Sequence, residues 1–138
     1  MALKFIQQDA TTLHEAFHER KAEYEALRAA GRWSGAVLHG GTLLELALKL
    51  VMCNHLGITN LPTIFQVHDL DLLLCCSGQL GRFKPGMALE TNFSLIHNNW
   101  SMALRYEGAI KTQQNSDQFN QALFDPANGV ITYLSQYF

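Results

Sequence analysis

Residues 31 to 52 read GRWSGAVLHGGTLLELALKLVM, and this stretch decides the fold. Leucine, valine, alanine and methionine cover most of a helical wheel, while His39, Thr42, Glu45 and Lys49 fall within about a third of it. A helix apolar on so many sides must be surrounded by other elements, so Trp33 to His55 is expected to be the most buried helix of the chain. Glu45 and Lys49 form an i,i+4 pair in the favourable order. Gly40-Gly41 would weaken an isolated helix by roughly 1 kcal/mol each, so their expected use is close approach of a neighbouring helix.

Working outward, Thr12-Leu13-His14-Glu15 has capping-box spacing, with Thr12 as N-cap and Glu15 at N3. Leu13, Phe17, Tyr24 and Leu27 continue at helical spacing, and Gly31 behind Arg28 suits a C′ position; this predicts helix one over roughly 10–30. After a loop at 56–62, Val67 to Gln79 reads as helix three, with Leu70, Leu73 and Leu74 on its core side. GQLGRFKPG (78–86) is a surface connection. Ala88 to Glu107 reads as helix four, with Phe93, Ile96, Trp100, Ala103 and Leu104 on one stripe. Phe119, Ala122, Leu123, Val130, Tyr133 and Leu134 mark a C-terminal helical region, broken or restarted at Asp125-Pro126, where Asp suits an N-cap and Pro an N1 position. Nothing alternates with period two for long. The chain predicts a single all-α domain over 1–138, an up-and-down bundle of about five helices.

The bulk composition agrees. A chain of 138 residues with 48% hydrophobic and 16% charged residues is globular. So few charges at this size make a homodimer an expectation. A formal net charge of −2 excludes a global electrostatic footprint for nucleic acid, though not a local patch. Cys53, Cys75 and Cys76 lie in apolar runs without framework spacing, which predicts buried, reduced thiols in a cytoplasmic protein. MALKFIQQD has no apolar stretch long enough for a signal peptide. Ala36 to Met52 is interrupted by His39, Glu45 and Lys49, against a membrane span.

The loudest motif is His14-Glu15-Ala16-Phe17-His18, a literal H-E-x-x-H that puts two imidazoles one turn apart. A zincin also needs a third ligand and a sheet edge for its peptide. The chain offers no strands, Glu19-Arg20-Lys21 reads as a solvated face, and Glu15 is expected to cap the helix; Glu45 is the formal third ligand. No metal and no cofactor are expected. His68-Asp69 begins helix three, where Asp favours the positive end of the dipole and His reads as a local hydrogen-bonding residue. His55 suits the end of helix two, and His97 reads as a satisfied, half-buried residue of helix four.

Helix four carries the strongest constellation. Asn98, Ser101 and Arg105 fall on one face, three and four residues apart, beside Trp100 and Tyr106. Asn and Ser are poor helix formers, so several together suggest a surface kept for contacts. Arginine with aromatics suits a phosphate- or base-binding surface and also a protein interface, the latter favoured on composition alone.

Taken together, GRWSGAVLHGGTLLELALKLVM, VHDLDLLL and the W-x4-R-Y of helix four resemble the HEPN family (higher eukaryotes and prokaryotes nucleotide-binding domains). The matching features are Glu45 with Lys49, His68 with Leu70, and Arg105 with Tyr106, over roughly residues 33–106. The resemblance implies a helical bundle that dimerises through a face including helix four. Many HEPN domains are RNA-directed toxins, or accompany a small nucleotidyltransferase in toxin–antitoxin pairs. Active ribonucleases of the family carry Arg-x(4–6)-His, the arginine binding the scissile phosphate and the histidine handling the proton. Here Ile110, Lys111 and Thr112 stand where that histidine would be. His97 lies eight residues before Arg105, roughly 12 Å along a helix axis, so the two could meet only across a dimer interface.

The resemblance implies a non-catalytic binding module for a nucleotide, an RNA or a partner nucleotidyltransferase. Arg105 would be the anion contact, Tyr106 and Trp100 the stacking surfaces, and Asn98 and Ser101 the hydrogen-bonding groups. Glu45 and Lys49 would line the same groove or form a plain salt bridge. The alternatives are a metal-independent ribonuclease using His97, and an assembly protein without a ligand.

Overall fold

The computed structural model describes residues 8–138. MALKFIQ, most of the segment read for a signal peptide and the start of the expected 1–138 domain, lies outside them. Six α-helices follow in order: α1 Ala10–Ala29, α2 Trp33–Leu56, α3 Leu70–Cys76, α4 Ala88–Asn99, α5 Gln113–Phe124 and α6 Val130–Leu134. Short 3-10 turns at Thr63–Phe65, Leu80–Arg82, Met102–Tyr106 and Ser135–Tyr137 complete the helical content. The only extended pairing among the described residues is an isolated bridge between Asp9 and Asn60, so the chain is an all-α bundle.

α2 is its axis. It packs against α1, α3, α5, α6 and the turn at Met102–Tyr106, and every residue from Leu43 to Cys53 is buried. By length and apolarity Trp33–Leu56 is capable of crossing a membrane, but 83% of its most apolar window is buried inside the bundle. The hairpin of α1 and α2 closes through Gly31, whose φ of 72° is the left-handed conformation its C′ position requires.

Gly40 and Gly41 are the notch that close packing needs. A Cβ on Gly40 would sit 2.9 Å from the Phe119 ring of α5, and one on Gly41 would fall inside the Trp100 indole. The Trp100 Nε1–H donates to the Leu38 carbonyl at 2.9 Å, so the ring is held against α2 at both its apolar and polar ends.

Several expectations are corrected. α1 starts at Ala10 because Asp9, not Thr12, is its N-cap: Asp9 Oδ1 accepts from the Thr12 N–H at 2.8 Å. Those hydrogen bonds hold the Asp9 carboxyl below its usual range. The chain is pinned there by Ala10 N–H to Thr59 O at 2.8 Å and Leu61 N–H to Gln8 O at 2.7 Å, which fixes where the helix begins. Helix three is shorter than Val67–Gln79, since Asp69 caps it and Ser77 ends it. The C-terminal region is broken at Asp125-Pro126 into two helices, which makes six helices rather than about five. Asp125 ends α5 instead of starting a new helix, its Oδ2 accepting from the Ala127 and Asn128 N–H groups at 3.1 and 2.8 Å. α6 begins only at Val130, behind Gly129. Of the cysteines, Cys53 is buried, Cys76 half-buried and Cys75 exposed, which corrects the expectation that all three are buried. Burial pushes the Cys53 thiol up, keeping it protonated and unreactive.

The largest departure is helix four. It stops at Asn99, Trp100 is extended (φ −131°, ψ 137°), and Ser101 caps a 3-10 turn by accepting from the Ala103 N–H at 3.3 Å. Seating the indole in the glycine notch takes the backbone out of helical geometry at that residue.

Candidate functional site

Ending α4 at Asn99 dissolves the expected polar face. Asn98 is exposed on the last turn of α4, Ser101 starts the 3-10 turn, and Arg105 stands at its far end, so the three do not share a helix face. Trp100 is 7% exposed and serves as the anchor of the turn, not as a stacking surface. Arg105 and Tyr106 stay together on the outside. The guanidinium carbon lies 4.8 Å from the centre of the Tyr106 ring, and Tyr106 is 79% exposed.

What the fold does bring together is a second group of residues. His68 and Asp69 at the start of α3, Asp71 within it, His97 at the end of α4, and Trp100 and Ser101 of the turn line an open cleft of about 360 Å³. Beneath it lie Glu45 and Lys49 of α2, with side chains only 7% and 3% exposed. Lys49 Nζ donates to Glu45 Oε2 at 3.0 Å and reaches Gln8 Oε1 at 3.4 Å. The other carboxylate oxygen, Glu45 Oε1, is 2.5 Å from His68 Nδ1. A second imidazole is held in the same way, His97 Nε2 standing 3.0 Å from Asp71 Oδ2 with its ring stacked on Phe93.

Two ions taken out of water cost several kcal/mol each, offset only where geometry and hydrogen bonding are good. The Glu45–Lys49 pair meets that condition and ends at an imidazole whose side chain is 57% exposed. The buried pair is thus linked by hydrogen bonds to an open cleft, which makes that cleft the candidate site. The i,i+4 spacing showed the salt bridge in the sequence. The Glu45–His68 contact spans 23 residues and left no local signal.

His97 is satisfied, by the Asp71 carboxylate, but it stands at a cleft wall with its side chain 41% exposed rather than half-buried. The H-E-x-x-H histidines stand elsewhere. His14 and His18 stack 6.3 Å apart beside Phe17, with Phe138 packed edge-on against His14. Glu45, the formal third ligand, is tied to Lys49 and His68, and Glu15 is exposed rather than capping. Among the described residues no three His, Cys, Asp or Glu side chains are grouped to hold a metal ion.

Compared with protein-family models, curated proteins and solved structures, the chain matches none. Any functional reading thus stands on the cleft, the turn beside it and the motifs of the sequence.

Proposed function

We propose that this chain is a non-cleaving, HEPN-like module that binds a nucleotide or RNA across the cleft and the turn beside it. One observation carries the reading: the single segment Trp100–Tyr106 supplies both a wall of the cleft and the exposed Arg105–Tyr106 pair. Arg105 is three residues beyond Met102, roughly 6 Å along a 3-10 axis, a separation on the scale of one nucleotide. A guanidinium offers forked donors for a phosphate, and an exposed aromatic face stacks a base of any sequence. The turn thus supplies both kinds of contact, and the cleft beside it adds polar groups. In this reading the module works as a cytoplasmic homodimer, and a small nucleotidyltransferase of a toxin–antitoxin type pair is a partner of the kind the resemblance implies.

The test is calorimetric titration of the purified chain with 5′-mononucleotides and a short single-stranded RNA. Arg105→Ala should lower affinity about tenfold and flatten the salt dependence, since a charged hydrogen bond is worth about 1.5–3 kcal/mol. Because Arg105 is exposed, the far-ultraviolet circular dichroism should not change. Absence of binding by the wild-type chain at millimolar nucleotide would overturn the reading.

The two carboxylate-held imidazoles favour a second reading, metal-independent RNA cleavage. Such cleavage needs a proton acceptor and a proton donor near neutral pH, which two histidines supply. It predicts hydrolysis in the presence of a chelator that His97→Ala abolishes. RNA left intact from pH 5 to 8 ends it.

A further inference from the structure

A charged side chain taken partly out of water needs a counter-ion, and this chain obeys the rule with one exception. Among the described residues, the buried or half-buried lysines and arginines are Arg20, Lys21, Arg28, Lys49 and Lys111. Arg20 faces Glu23, Lys21 faces Glu25, Arg28 faces Asp117 and Lys49 faces Glu45. Lys111 faces no carboxylate, and of its donors only the backbone N–H is bonded among the described residues. MALKFIQ contains no Asp or Glu that could serve it.

Lys111 lies at a pocket of about 60 Å³ between α2, α4 and α5, which it lines together with Val37, Asn99, Asn115, Gln118 and Phe119. No carboxylate lines this pocket. At about 10–15 Å³ for each water it takes roughly four, the size of a tetrahedral oxyanion and too little for a base. Asn115 Oδ1 accepts from the Thr112 N–H at 3.0 Å, so its amide nitrogen remains as a donor, and Gln118 adds a second amide. Asn99 donates to the Leu95 carbonyl at 2.7 Å and offers only an acceptor, which a phosphodiester cannot use.

The place of the pocket relates it to Arg105. The Lys111 N–H donates to Ser34 Oγ at 2.9 Å, and the Trp100 indole donates to the Leu38 carbonyl at 2.9 Å. Ser34 and Leu38 are one turn apart, so both ends of the segment 100–111 are tied to α2 about 6 Å apart along its axis. Arg105 to Ile110 between them are all exposed. The backbones of Arg105 and Lys111 stand at most about 20 Å apart, a span that a short oligonucleotide covers. Glu107 is the one carboxylate of the segment, set against two cations.

Resting on the nucleotide reading above, we infer that Lys111 and its pocket hold a second phosphate of the ligand, which makes that ligand a single-stranded RNA rather than a mononucleotide. One phosphodiester pairs with Arg105 and another with the Lys111 ammonium, to which the Asn115 and Gln118 amides add neutral donors. The strand lies along the segment 105–111.

The experiment is calorimetry of the full chain with uridine oligonucleotides of one to eight nucleotides at several salt concentrations. Affinity should rise about tenfold between the shortest and the longest, the worth of one more charge-assisted hydrogen bond. The slope of log K against log salt should steepen by about 0.7, the share of one phosphate of a single strand. In Lys111→Gln both gains should vanish while mononucleotide affinity stays unchanged, and Lys111→Arg should keep them. Because Lys111 has no counter-ion to lose, the melting temperature of Lys111→Gln should hold or rise. A lowered melting temperature with the length dependence intact would make Lys111 structural and overturn the inference.

Inorganic phosphate supplies the second readout. It should move the side-chain amide resonances of Asn115 and Gln118 in the wild type and leave them in place in Lys111→Gln. Should phosphate do so while the length dependence survives Lys111→Gln, the pocket serves a free anion and the strand inference is overturned. Mononucleotide binding that depends on Arg105 but gains nothing from length would overturn this inference and spare the nucleotide reading. No nucleotide binding at all would remove both.

Discussion

Two turns of α2 break the rules of a buried helix, and they break them differently. At Gly40-Gly41 the side chains are missing, at a helix-propensity cost of roughly 1 kcal/mol each. At Glu45 and Lys49 the side chains are present but charged, which costs several kcal/mol in desolvation. The glycine gap is filled to contact by Phe119 and Trp100, so its cost is returned as packing inside the same core. The charge pair is not closed in this way, because its hydrogen bonds run on to an imidazole at the cleft surface. An irregularity that ends on core atoms explains the fold. One that ends at solvent marks the candidate site.

The sharpest way to break this comparison is to remove one charge and then both. Lys49→Met leaves Glu45 in the core without its counter-ion, and should cost about 3–5 kcal/mol in urea unfolding. Adding Glu45→Gln to that variant should recover most of the loss, since a neutral pair of similar volume no longer needs water. If Lys49→Met alone costs under about 1 kcal/mol, the pair is hydrated and its contrast with the glycine notch fails.

Gly41→Ala comes next, at about 3 kcal/mol, the upper end for a methyl forced into a filled site. The added Cβ would occupy the position of the Trp100 indole, and α2 backbone and ring cannot both stay in place. Displacing Trp100 also frees the turn at Met102–Tyr106, so tryptophan emission should shift to the red. Arg105-dependent binding should weaken in the same variant. Full stability with weakened binding would separate the notch from the core.

How much of this was legible in the sequence depends on whether a signal was local. The all-α class, the burial of α2, the end of α1 at Gly31 and the packing use of Gly40-Gly41 follow from periodicity and residue chemistry within a turn or two. The end of α4 did not, because MALRY consists of good or fair helix formers and continues the apolar stripe. What overrides propensity there is a tertiary demand, the seat of Trp100 against Gly41 with its indole N–H on the Leu38 carbonyl, 62 residues earlier in the chain. A weak cue existed in Asn98-Asn99 followed by Ser101, poor helix formers ahead of a residue suited to capping a new turn. The site was legible in the same proportion. His97, Trp100 and Ser101 do meet at the cleft and Arg105 with Tyr106 stands beside it, whereas His68 was read as a local residue because its partner lies on another helix.

The smallest effect tests the comparison most finely, since Gly40 differs from Gly41 only in what it touches. Its added Cβ would meet Phe119 Cε1 at 2.9 Å and Leu123 Cδ1 at 3.0 Å, the outer atoms of side chains that can shift by a few tenths of an ångström. Replacing glycine by alanine within a helix gains about 1 kcal/mol in propensity, and the crowding opposes it by a similar amount. Gly40→Ala should therefore lie within about 1 kcal/mol of the wild type in urea unfolding, with tryptophan emission and nucleotide binding unchanged. A loss as large as that of Gly41→Ala would mean that α5 is held as rigidly against α2 as the indole is, and that the notch is one unit spanning both glycines. A near-neutral result assigns the notch to Gly41 alone, and with it the placement of the turn that carries Arg105.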